Sequence, residues 1–175
     1  MKSSKCLISL GTNLGDRTKN LSDAYQYLNQ HIKIIKKSRA YETEALLPKN
    51  APKSWNLNYL NLVIYGEYDS DAESLIMITQ GIEKKMGRDF QSPKWSPRII
   101  DIDILIFSNY IIKNSKITIP HPEMLNRSFV MIPAEEVGED IIHPVTNKSI
   151  KEEVIKNKER FKTKIKLYDR DCDFL

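Results

Sequence analysis

The apolar positions of the chain change period several times, and each change marks an element. Cys6-Leu7-Ile8-Ser9-Leu10 is a run of strand length, and GTNLGD (11–16) reads as the turn that follows it. From Asp16 the period lengthens: Leu21, Ala24, Tyr25 and Leu28 form the stripe of an amphipathic helix ending near Gln30. Residues 32–43 (IKIIKKSRAYET) and 58–68 (NYLNLVIYGEY) return to strand spacing, with the proline-broken loop PKNAPKSWN between them. A second helix is predicted from Ser70, with Glu73 in the capping-box position. Leu75, Ile78, Thr79, Ile82 and Met86 line one of its faces, and Gly87 ends it. Residues 99–107 form another strand, KITIP (116–120) a short extended piece, and Pro133 to Val137 a helix. A last helix starts at Ser149, with Glu152 in the capping position.

This order, β-α-β-β-α-β, is that of an α+β, ferredoxin-like fold: an antiparallel sheet with helices packed on it and a C-terminal helical extension. One domain is expected over residues 1–160, with 161–175 as a tail or linker. No internal repeat or low-complexity run interrupts it.

Composition narrows the picture. With 175 residues, 41% apolar and 29% charged, the chain suits one soluble domain. No apolar run approaches the roughly 20 residues of a membrane helix, and the apolar stretch after the N-terminal lysines is too short for a signal peptide. Cys6 and Cys172 lie near opposite ends and read as reduced thiols of a cytoplasmic protein. The net charge of +4 owes much to KNKERFKTKIK (156–166). It suits a phosphate-rich substrate and supports nucleic-acid binding only weakly.

The chemistry concentrates in WSPRIIDIDILIF (95–107). On a strand, Asp101 and Asp103 project to one side, while Ile100, Ile102, Ile104 and Ile106 cover the other. Two adjacent carboxylates repel one another, so they either hold a divalent cation or pair with basic residues at a sheet edge. Arg98 just upstream, and Arg88 ahead of a flexible loop, favour a site that grips phosphate. There is no Walker P-loop, kinase signature or defensible Ser/His/Asp set. His121, between two prolines and ahead of Arg127, is a candidate phosphate contact. Tyr59 and Asn61 share a strand face and pair a stacking surface with an amide.

ISLGTNLGD (8–16), YETEALL (41–47), NYLNLVI (58–64), IEKKMGRD (82–89), WSPRIIDIDILIF and IPHPEMLNRSFVMIP (119–133) together resemble the 6-hydroxymethyl-7,8-dihydropterin pyrophosphokinase family of folate synthesis. The resemblance implies transfer of pyrophosphate from ATP to the pterin's hydroxymethyl oxygen, with release of AMP. It implies two Mg²⁺ ions on Asp101 and Asp103, with Arg88 and Arg98 on a loop that closes over the reaction. The pterin would stack between Tyr59 and Phe129 and be read by Asn61 and by Thr43, Glu44, Ala45 and Leu46, with Trp95 beside it. ATP would meet Gln80, Glu83, Trp95, Arg98, Ile104, Thr118, His121 and Arg127. Some relatives are fused to dihydropteroate synthase, which makes that enzyme an expected fusion or association partner; no nucleic-acid or membrane partner is implied.

Four positions depart from the family pattern. Thr12 replaces a serine, and Glu44 replaces a proline, loosening the pterin-side loop. Phe90 stands where a basic residue is common, and Ser96 replaces a glycine, which should restrict the turn before Arg98. Two other readings are weighed against the pyrophosphokinase: a palm-type nucleotidyl transferase, which also carries paired aspartates, and a basic RNA-binding module.

Overall fold

Ser4–Thr12 form β1, the strand on which the sheet is assembled, because both its edges are used. The computed structural model describes residues 3–161 and 165–168. After β1 come α1 (Arg17–Leu28), β2 (Lys33–Lys37), β3 (Tyr41–Thr43), β4 (Tyr59–Tyr68), α2 (Ala72–Lys85) and β5 (Asp101–Phe107). Then follow β6 (Ile112–Lys113), β7 (Thr118–Ile119), α3 (Ser128–Gly138), β8 (Ile142–His143), β9 (Lys148–Ser149), α4 (Ile150–Lys156), α5 (Lys158–Phe161) and β10 (Lys166–Leu167).

Among the described residues the main sheet has six strands, all antiparallel, in the order β10-β3-β4-β1-β5, with β2 also on β4. Its centre, β5-β1-β4-β3, is the ferredoxin-like order that the element sequence predicts. The single strand expected over 32–43 is instead two. Its ladder breaks at Ser38, whose hydroxyl accepts from Val63 N at 3.0 Å in place of a backbone carbonyl. Cys6 is a buried free thiol; Cys172 lies outside the described residues. Of the predicted tail 161–175, Phe161 is buried and Lys166–Leu167 pairs with Glu42 and Tyr41; residues 162–164 and 169–175 lie outside the described set. No described helix is long and apolar enough to cross a membrane.

Helices cover both faces. Leu21, Ala24 and Leu28 of α1 and Leu75 and Ile82 of α2 pack on one face against Ile8, Leu10, Leu62, Ile64, Ile102 and Ile104. Val130, Met131, Ala134 and Val137 of α3, with Ile150 and Val154 of α4, pack on the other against Leu7, Val63 and Leu105. Ile106 joins this second cluster rather than the first, a correction to the strand alternation. The register between β1 and β5 slips at Leu7/Ile8, so one extra β5 residue is accommodated and the side chains beyond it change face.

Helix boundaries follow their caps. Ser149 caps α4 as expected, in a full capping box with Glu152, and Asp16 caps α1. The cap of α2 is Asp71, not Ser70: its carboxylate accepts from Ser74 N at 2.7 Å. α3 begins five residues before Pro133 and carries that proline in its interior.

Two glycines separate close approach from mere flexibility. At Gly66, opposite Ile34, a Cβ would lie 2.9 Å from the carbonyl oxygen of Lys33. At Gly81, in the exposed middle of α2, it would meet nothing within 4 Å. Gly66→Ala should therefore lose about 1–3 kcal/mol in urea unfolding. Gly81→Ala should gain about 0.5–1 kcal/mol, because the unfolded chain loses freedom. Equal effects at the two sites would contradict this packing.

Candidate active site

The second face of the sheet is divided along its strands. Under α3 and α4 it carries Leu7, Val63 and Leu105; past the start of α3 the same alternation brings up Ser9, Gly11, Asn61, Asp101 and Asp103. These small and polar side chains floor a cavity of about 190 Å³. Its walls come from Thr43 to Leu47 after β3, from Phe129 and Val130 at the start of α3, and from Lys94, Trp95 and Arg98 in the loop before β5.

Asp101 stands at the junction of the cationic groups. Its Oδ1 lies 2.6 Å from Arg88 Nη1 and its Oδ2 3.2 Å from Arg98 Nη1. Arg88 also donates to Glu83, whose Oε1 accepts from Ile102 N at 2.8 Å. Burial pushes the Glu83 carboxyl up to about 7, against the pull of Arg88 and the Ile102 N–H. Among the described residues Asp103 has no such close guanidinium. Burial first, and the charge of Asp101 second, push its carboxyl upward. Among the described residues its closest basic contact is His121, whose Nε2 lies 3.9 Å from Oδ2. Burial and then Arg127 lower the His121 pKa, and its Nδ1 accepts from Glu123 N at 3.2 Å. That bond leaves the proton of the neutral ring on Nε2, the nitrogen facing Asp103.

Backbone contacts place these groups. Asn13 N donates to Arg98 O at 3.2 Å and Arg98 N to Asn13 Oδ1 at 2.8 Å, so the end of β1 pins the loop before β5. His121 N donates to Leu105 O at 2.9 Å, which holds the IPHP segment against β5. Asn61 Nδ2 donates to Thr43 Oγ1 at 3.0 Å. A Cβ on Gly11 would lie 3.0 Å from Asn61 Oδ1, so the glycine keeps that amide in place. Beside the slot, the Arg127 guanidinium lies over Phe129 at 5.8 Å. In the loop, the left-handed residue is Trp95, at φ 75°; among the described residues Ser96 is not one of the positive-φ positions. The serine therefore sits in backbone that does not call for glycine.

Residues 7–139 match the 7,8-dihydro-6-hydroxymethylpterin-pyrophosphokinase (HPPK) family. The chain belongs to this family. It is 33% identical over 145 residues to the 2-amino-4-hydroxy-6-hydroxymethyldihydropteridine pyrophosphokinase of Aquifex aeolicus, covering 83% of this chain and 87% of that protein. It is 42% identical over 127 residues to the folate synthesis bifunctional protein of Chlamydia trachomatis, covering 71% of this chain but 28% of that protein. The chain thus spans less than a third of such bifunctional relatives. The fold agrees with that of Plasmodium falciparum HPPK-DHPS crystallised with pterin and p-hydrobenzoate, at TM-score 0.69 and 18% identity, over 92% of this chain and 45% of that one.

The residues expected from the HPPK resemblance fall into two groups. Thr43, Glu44, Ala45, Leu46, Tyr59, Asn61, Trp95, Arg98, Asp101, Asp103, Arg127 and Phe129 all line the one cavity. Arg88 and His121 reach its carboxylates from outside the lining. Gln80 on α2 and Thr118 on β7 are exposed and away from it. The Ile104 side chain is buried among α1 and α2, on the opposite sheet face, and does not line the cavity. Glu83 is buried on Arg88 and Ile102 rather than turned to the cavity. Sequence reasoning missed Ser9, Gly11 and Lys94 in the lining, and Asn13 behind Arg98. The alternation Leu7-Ser9-Gly11 opposite Asp101 and Asp103 carried the signal for the first two.

Glu83 gives this site a pH signature in the nucleotide-free protein. Its folded pKa of about 7 lies above the ordinary 4.5, so the stability it contributes is present at low pH and lost as pH rises through 7. At 1.36 kcal/mol per pKa unit this is at most about 3 kcal/mol. Glu83→Gln, which keeps an acceptor for Ile102 N, should flatten the fall in melting temperature between pH 5 and pH 8. An unchanged slope would remove Glu83 from that account.

Proposed function

We propose that the chain transfers the pyrophosphoryl group of ATP to the hydroxymethyl oxygen of 6-hydroxymethyl-7,8-dihydropterin, releasing AMP, as a cytoplasmic step of folate biosynthesis. One observation carries the reading: an aromatic and amide-lined slot opens directly onto a carboxylate pair flanked by arginines. HPPK membership decides between this and the palm-type alternative for the same pair. The RNA-binding alternative needs an open sheet face with exposed aromatics; here one face lies under α1 and α2, and the part of the other left open beyond α3 carries Ser9, Gly11, Asn61, Asp101 and Asp103.

The donor set suits Mg²⁺. Asp101 and Asp103 offer oxygen alone, and no cluster of three or more His, Cys, Asp or Glu side chains suited to holding a metal occurs among the described residues. Such a pair leaves ligand positions for water and substrate phosphate, as Mg²⁺ prefers. Two ions held by Asp101 and Asp103 would neutralise phosphate charge and orient the triphosphate.

The chain's own residues then position the reactants. Tyr59 and Phe129 would sandwich the pterin, while Asn61, fixed by Thr43 and Gly11, reads its amide edge. Thr43 to Leu46 close the slot from the β3 side. Arg88 and Arg98, now on Asp101, would exchange that carboxylate for phosphate oxygens when ATP enters, keeping each guanidinium paired throughout. Lys94, Arg127 and the Nε2–H of His121 add positive charge and a donor along the polyphosphate. The acceptor hydroxyl attacks the β-phosphorus in line, and most of the rate comes from alignment and charge neutralisation. Fusion to or association with dihydropteroate synthase belongs to the same reading. It is supported by the bifunctional folate-synthesis relatives and by the HPPK-DHPS neighbours.

Incubation with ATP, Mg²⁺ and 6-hydroxymethyl-7,8-dihydropterin should yield AMP and the pterin pyrophosphate in equal amounts. Release of inorganic pyrophosphate instead would point to attack at the α-phosphorus and overturn the assignment. Asp101→Ala and Asp103→Ala should each bring turnover to background at saturating Mg²⁺ while leaving the fold intact by circular dichroism. Near-normal rates in both variants would sink the proposed role of the pair.

A further inference from the structure

A charged cluster outside the cavity joins its two opposing walls. Glu136, on α3, accepts at Oε2 from Arg39 N at 2.9 Å, and at Oε1 from Arg39 Nε at 3.0 Å and Nη2 at 2.6 Å. Its Oε1 also accepts from the Tyr41 hydroxyl, and Arg39 Nη2 donates to that hydroxyl at 3.2 Å. Both side-chain oxygens and four donors, three from Arg39 just before β3 and one from Tyr41 at its start, are thus used in one clamp.

The clamp is aligned with the slot on both sides. In β3, Tyr41 and Thr43 are two residues apart and face the same way, Tyr41 opposite Asn61 and Thr43 opposite Tyr59. Tyr41 reaches α3 and Thr43 holds Asn61. In α3, Phe129 and Glu136 are seven residues apart, two helical turns along one stripe. A roll or slide of α3 against β3 therefore moves Phe129 relative to Tyr59 and Asn61. The hydrophobic contacts of α3 resist separation from the sheet but fix such a slide poorly, because apolar attraction has no direction. The charge-assisted contact, with Nε and Nη2 of Arg39 converging on Oε1 and its backbone N–H on Oε2, does fix it.

We propose that Glu136 is a positioning residue for the pterin: acting through Arg39 and Tyr41, it sets the gap between Phe129 and the Tyr59–Asn61 wall. It controls affinity for the flat bicyclic substrate without touching it. This inference rests on the pyrophosphokinase reading above. It predicts that loosening the clamp weakens pterin binding while the carboxylates and arginines, on the other side of the cavity, continue to handle ATP.

The test compares Glu136→Ala, Glu136→Gln and Tyr41→Phe with Gly66→Ala, a destabilised control at the far end of β4. Steady-state kinetics with both substrates are joined to equilibrium binding of 6-hydroxymethylpterin, followed by its own fluorescence. In Glu136→Ala the KM for the pterin and the Kd should rise about tenfold, with kcat and the KM for ATP within about twofold of the parent. Glu136→Gln, which retains one acceptor oxygen, and Tyr41→Phe should rise less. Gly66→Ala should lose melting temperature and keep its pterin affinity. If Glu136→Ala does not fold, Tyr41→Phe carries the comparison. Unchanged pterin affinity in the clamp variants, or an equal rise in Gly66→Ala, overturns the inference while leaving the function intact. A parent protein that binds no pterin overturns both.

Discussion

Two carboxylates side by side on one face of a strand, at the rim of a packed sheet, must be answered by positive charge, and the surrounding structure is arranged to supply it. Asp101 takes both Arg88 and Arg98, so its charge is balanced before any ligand arrives. Among the described residues the closest basic contact of Asp103 is His121 at 3.9 Å, and burial first, then the charge of Asp101, raises its pKa against the pull of Arg127, Arg88 and Arg98. A carboxylate held by two guanidiniums beside one with none at ion-pair distance among the described residues makes an uneven, electron-rich edge.

The sheet makes this possible by dividing one face between two duties. The same alternation that buries Leu7, Val63 and Leu105 under α3 and α4 presents Ser9, Gly11, Asn61, Asp101 and Asp103 beyond the start of α3. Site and core are continuous along β1, β4 and β5, so α3 is at once part of the core and a wall of the cavity. The other face, under α1 and α2, has no such division. It anchors the site indirectly, through Glu83 of α2 holding both Ile102 N and Arg88.

Much of this was legible from periodicity. The strands around residues 6–10, 58–68 and 99–107, both long helices and the ferredoxin-like order follow from the spacing of apolar residues, and Asp101 with Asp103 from the two-residue repeat of a strand. What was not legible depends on partners distant in the chain. The change of face at Ile106 comes from a slipped register with β1, which no local pattern in β5 reveals. The break in the second strand depends on a Ser38 hydroxyl standing in for a carbonyl across from Val63. The helix expected over Pro133 to Val137 begins earlier, at Ser128; α3 carries the proline inside, among residues packed on the sheet, where tertiary contacts outweigh the lost hydrogen bond.

Two departures from the HPPK pattern change meaning once the loop is seen whole. Ser96 looked restrictive where glycine is usual, yet the backbone reversal falls on Trp95, and Ser96 N simply closes the turn onto Pro93 O at 3.1 Å. Phe90 looked like a lost phosphate contact. Its ring instead lies 5.1 Å from the Arg88 guanidinium, on an arginine already held by Glu83 and Asp101. Replacing a cation by an aromatic ring here trades one positive charge for a surface on which the neighbouring guanidinium rests. Lys94, which lines both the main cavity and the hollow beside the loop, supplies positive charge from a different position on the same segment. The cationic character of the loop is therefore redistributed toward Trp95 and Arg98, the end that Asn13 pins to β1, rather than removed.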